Sequence, residues 1–118
     1  GEPRRAIEFY EQGLVIAREI GNRRGEANSL SGLGISYGAL GDAHQQISYE
    51  EQHRDIAREI GDRRGEGNAL YNMAMALDAL GEREQAIANA GAALKIFEAI
   101  EDPHARMARK KLAEWKGM

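Results

Sequence analysis

The sequence predicts an all-α protein built as a stack of antiparallel helix pairs, a helical-repeat solenoid. Three observations carry that expectation. Residues 16–28 return as residues 56–68 with eleven of thirteen positions identical, an offset of 40, and a degraded third copy follows at residues 96–102. Gly21, Gly41, Gly61 and Gly81 fall 20 apart, each just after an apolar residue, where a left-handed helix ending favours glycine. Between these breakers the large apolar residues recur at spacings of three and four, and no segment alternates apolar and polar as a half-buried strand would.

Two helices per 40-residue period then give six helices, near residues 3–20, 23–40, 43–60, 63–80, 83–100 and 103–116. The first carries Ile7, Phe9, Tyr10, Leu14, Ala17 and Ile20 and stops at Gly21. In the second, Leu30, Leu33, Tyr37 and Leu40 define one stripe; in the fourth, Leu70, Met73, Leu77 and Leu80 repeat it. Asp42, Asp62 and Asp102 stand where N-caps belong, and Pro103 suits a first helical turn. The fifth helix shows Ile87, Ala90, Leu94, Phe97 and Ile100, and the sixth places Leu112 and Trp115 to cover the end of the stack. One such pair cannot bury its apolar face alone, so neighbours must stack. The chain reads as one domain over residues 1–118: an unpaired helix at 3–20, repeats at 23–60 and 63–100, and a C-terminal capping helix at 103–116.

Composition narrows the function classes. Hydrophobic residues at 42% and charged residues at 30% belong to a folded chain rather than a disordered one. The apolar runs are too short to span a bilayer, so no membrane role is expected. Zero cysteines exclude disulfides, thiolate chemistry and sulfur-based zinc sites, and fit a cytoplasmic location. A net charge of −3 argues against nucleic acid as the partner. His44, His53 and His104 lack metal-ligand spacing, no phosphate-binding loop or nucleophile elbow is present, and no cofactor or catalytic role is expected. The doublets Arg4-Arg5, Arg23-Arg24 and Arg63-Arg64 recur at helix starts and are read as pairing with nearby acids such as Glu26, Glu59 or Glu66.

At the stripe Leu30, Leu33-Gly34 and Tyr37, repeated in size class as Leu70, Met73-Ala74 and Leu77, the chain resembles the tetratricopeptide repeat (TPR) family over nearly its whole length. Ala6 and Ala86 match the small residue that opens the family's second helices. The 40-residue period exceeds the family's usual length of about 34 and is similar to the long-repeat subclass of kinesin light chains, Pins-type adaptors and bacterial signalling proteins. The resemblance implies a right-handed superhelical solenoid whose concave groove, lined by the first helix of each pair, binds a peptide or protein. It implies inward positions at Asn28, Ser31, Ile35 and Gly38, then Asn68, Tyr71, Asn72, Met75 and Asp78. The residues add that Asn amides offer donor and acceptor to a peptide backbone, while Ile35, Tyr71 and Met75 offer apolar contact. Local capping bonds are the competing use of Asn28 and Asn68.

The helix at 43–60 departs from its siblings. It carries Gln46, Glu50 and His53 where they carry Ala6, Tyr10 and Gly13, or Ala86, Ala90 and Ala93. Either the helix is rotated so that these side chains stay wet, or they form a polar contact between subunits or a pH-sensitive Glu50–His53 pair. The first helix looks like the second member of a pair whose partner is missing, leaving Ile7, Tyr10 and Leu14 open. A longer parent chain would supply the missing helix, or two copies would dock there as a homodimer. The functional expectation is a protein- or peptide-binding scaffold. Self-assembly is the alternative, and nucleic-acid binding through the basic residues of helix 103–116 the third.

Overall fold

The computed structural model describes residues 2–117. Among them are six α-helices and no strand: α1 (Glu2–Ile20), α2 (Arg23–Ala39), α3 (Ala43–Glu59), α4 (Arg63–Ala79), α5 (Arg83–Ala99) and α6 (His104–Lys116). The helix ends are set by a device that recurs every 20 residues. Gly21, Gly41, Gly61 and Gly81 take φ between 70° and 81°. The next residue's N–H then donates back five residues, as from Asp42 to Tyr37 C=O at 2.9 Å and from Asp62 to Ala57 C=O at 2.8 Å. The same residue starts the following helix: Asp42 and Asp62 accept from the N–H groups of Gln45 and Gly65. Asn22 caps α2 in the same way through Gly25, a cap the sequence reading passed over. Glu82 makes no such bond at α5. Asp102 sits one residue further out than expected, its carboxylate accepting from the His104 N–H at 2.8 Å. Glu101 occupies the place of the fifth glycine and is the one described non-glycine residue at positive φ, 56°.

The four internal helices, each of 17 residues and about 26 Å long, are joined by links of three residues and pack side by side. Each helix packs on the ones before and after it in the chain, and α2 also touches α4. Leu14, Ala27, Leu30, Leu33 and Ile56 form a core spanning α1 to α3, with Tyr37 stacked on Tyr49 at 5.6 Å. Leu70, Met73, Ala93, Ile96, Phe97 and Ala108 form the corresponding core of α4 to α6. Leu112 is buried against Ala74 and Ala90, with Trp115 beside it under the Arg83 guanidinium. The molecule is elongated, 46 × 31 × 20 Å. No described helix is long and apolar enough to cross a membrane.

One expectation about α1 is corrected. Ile7, Tyr10 and Leu14 are not open; they pack on α2. The uncovered apolar residues of α1 are Phe9, Ile16 and Ile20, at 70%, 55% and 69% exposure, with Val15 apart from them. The helix has apolar residues on both sides of its buried seam, and α2 covers one side.

Candidate functional site

Ion pairs repeat with the helices, some within a helix, some between consecutive helices and two between alternate ones. Arg23 reaches Glu26 at 2.7 Å and also Glu59; Arg63 reaches Glu66 at 2.8 Å. Arg18 and Arg58, at the ends of α1 and α3, close on the same carboxylates. Burial pushes the Glu26 carboxyl up, and the hydrogen bonds from Arg18 and Arg23 more than reverse it, so its pKa is lowered. Arg4 and Arg5 make no ion pair among the described residues, but the second arginine of the other two doublets does something the sequence reading missed. Arg24 of α2 reaches the Asp62 cap of α4 at 3.6 Å, and Arg64 of α4 reaches Asp102, ahead of α6, at 3.0 Å. Hydrogen bonds from the His104 N–H and ring hold Asp102 below the usual carboxylate range. The signal was in the sequence: Arg24 to Asp62 and Arg64 to Asp102 are the same step, 38 residues each.

These straps hold α2, α4 and α6 in a row, and their shared face bears three neighbouring depressions. One of about 260 Å³ is lined by Asn28, Ser31, Asn68, His53, Asp62 and Arg64. The next, about 340 Å³, takes Ser31, Ile35, Asn68, Tyr71 and Asn72, with His104 and Met107 from α6. The third, about 350 Å³, takes Ile35, Gly38, Asn72 and Met75 with Gln46. Ser31, Ile35, Asn68 and Asn72 are common walls, so the three run together as one furrow. Eight of the nine expected groove residues meet there. Asp78 does not line it and is paired with Arg83 at 2.8 Å. His104 and Met107 were not foreseen, because α6 had been read as a lid with a basic face and not as a wall of the groove. Among the described residues the side chains of Asn28 and Asn68 make no hydrogen bond, so the local capping alternative is not realised; Asn22 and Asp62 do that work instead.

Beneath the furrow lies the group that set α3 apart. Glu50 is wholly buried (0% exposed) and His53 nearly so (6%). Glu50 Oε1 lies 3.1 Å from His53 Nδ1, and Glu50 Oε2 accepts from the Asn72 side chain at 3.0 Å. The Gln46 amide donates to the Asn72 C=O at 3.3 Å. Glycines make this possible. A methyl group added at Gly34 would stand 2.8 Å from Glu50 Oε2, and one at Gly38 would stand 2.8 Å from Gln46 Oε1. One period later the same positions are Ala74 opposite Ala90 and Asp78 opposite Ala86. Large polar chains on α3 thus fill room that small residues on α2 leave. Burial pushes the Glu50 carboxyl above the usual carboxylate range, against the pull of the His53 ring and the Asn72 amide. The wet, rotated helix is corrected: Gln46, Glu50 and His53 turn inward, with Glu50 wholly covered, His53 nearly so and Gln46 partly so. The expected Glu50–His53 pair is formed.

No protein-family model matches the sequence, and no curated protein is detectably similar to it.

Proposed function

We propose that this chain is a TPR-type helical-repeat module of right-handed superhelical form. It binds an extended segment of another protein along the α2–α4–α6 furrow, serving as a scaffold or adaptor and not as an enzyme. The observation that carries the reading is the furrow's lining. It pairs uncommitted amides, Asn28 and Asn68, at one end with apolar Ile35, Tyr71, Met75 and Met107 towards the other. Primary amides can pair with the N–H and C=O of any extended chain, which gives affinity without sequence preference. Apolar walls in a concave surface select a large side chain nearby. The 40-residue return of Arg24–Asp62 as Arg64–Asp102 supports a repeating superhelical step between first helices. The compartment proposed is the cytoplasm, in keeping with a chain free of cysteine.

Selection from a random display library of twelve-residue peptides tests this. Selected peptides should lose affinity about tenfold or more for the chain carrying Asn28→Ala, Asn68→Ala and Tyr71→Ala together, with helicity unchanged. Peptides whose binding ignores all three changes would refute the furrow as the site.

A further inference from the structure

We propose that α1 is a homotypic contact: two copies of this chain pair through antiparallel α1 helices, independently of the furrow. Phe9, Ile16 and Ile20 lie within one narrow stripe of a helix, at spacings of seven and four, and all three are more than half exposed. Forty residues on, the same positions are Tyr49, Ile56 and Ile60 of α3, and those pack against the Ala27, Leu30 and Leu33 core with α2 beside them. The α1 stripe is therefore the kind of surface that a neighbouring helix covers within this same molecule.

The rim of the stripe says which helix. Arg5, Gln12 and Glu19 run along one edge at heptad spacing, a cation at one end, an anion at the other and a neutral amide midway. None of them has an ion-pair partner among the described residues, and all three are exposed. In an antiparallel pair related by a twofold axis, like edges meet. Arg5 then faces Glu19 of the second copy, Gln12 faces Gln12, and Phe9 falls level with Ile16 of the other chain. In a parallel pair unlike edges meet, so Arg5 and Glu19, which share an edge, would not face one another. The opposite end of the molecule offers no substitute, because α6 exposes Arg106, Arg109, Lys110 and Lys116. A single pair of helices about 28 Å long buries less than the roughly 1,600 Å² of a standard interface. Dissociation at roughly micromolar concentration follows.

Sedimentation velocity from roughly 5 to 500 micromolar tests the pairing. The unaltered chain should shift from one copy to two over that range. Phe9→Glu should stay single at every concentration with its circular dichroism unchanged. Arg5→Glu and Glu19→Arg should each weaken self-association about tenfold, whereas an equimolar mixture of the two should pair at least as well as the unaltered chain. With no other cysteine in the chain, Gln12→Cys should oxidise to a disulfide-linked dimer. A single copy throughout the range would overturn the proposal. So would a dimer indifferent to Phe9→Glu and to the charge exchange, or a mixture no tighter than its components. Capture of a separate amphipathic helix by the stripe, with no self-association, would assign it to a different occupant and also overturn the pairing.

Discussion

Adding one methyl group to α2 should have opposite effects depending on a residue in α3. Gly34→Ala removes a glycine from a helix interior, a change that stabilises by about 1 kcal/mol where space allows. Here the new Cβ would stand 2.8 Å from Glu50 Oε2 and 2.9 Å from its Cδ, inside contact distance of a fully buried side chain. Overpacking of this kind costs about 1–3 kcal/mol, so in the unaltered chain Gly34→Ala should net a destabilisation of about 0–2 kcal/mol. In a Glu50→Ala background the obstruction is gone and the two positions become the Ala–Ala pair seen one period later at Ala74 and Ala90. There the same Gly34→Ala should stabilise by about 1 kcal/mol, giving a coupling of about 1–3 kcal/mol. Glu50→Ala alone is destabilising, since His53 and Asn72 lose their acceptor. Urea unfolding of the four proteins, followed by circular dichroism, measures the cycle. A coupling below about 0.5 kcal/mol, or Gly34→Ala stabilising both backgrounds, would refute the packing account of why α3 tolerates a buried carboxylate.

Further expectations concern pH and the helix ends. Because the folded Glu50 carboxyl holds its proton to higher pH than the unfolded one, its contribution to stability is present in acid and is lost as pH rises from the ordinary value of 4.5 through its raised folded value. Glu50→Gln should flatten that part of a stability-versus-pH curve in urea titrations, with His53 and Asn72 as the groups facing it. Glu26 has the opposite sign: its lowered pKa contributes stability above the unfolded value that is lost as pH falls through the folded one, and Glu26→Gln should remove that acid limb. Glu101→Gly should raise stability by about 0.5–1 kcal/mol, since φ of 56° strains any residue with a Cβ, and no change in thermal midpoint would count against it. Asp62→Ala should cost about 1 kcal/mol by loss of the α4 cap, read as a lower urea midpoint at constant slope.

The helices and their ends were legible before any coordinates, because the forces that set them act over a few residues. A glycine at positive φ and an aspartate accepting from the N–H three residues on need only their chain neighbours, which is why Gly61-Asp62 could be read directly. The furrow face was legible in outline: a 40-residue return puts Asn28 and Asn68 at matching places on α2 and α4, wherever those helices lie. The fates of Glu50, His53, Asp78 and Phe9 were decided only by the fold. Whether a charge is buried depends on the residue opposite it, and Gly34, which leaves Glu50 its room, belongs to another helix. Asp78 turned to Arg83 across a helix junction instead of to the furrow. Phe9 stayed exposed while Tyr10, its neighbour, was covered, because α2 settled on one flank of α1 and no local rule says which.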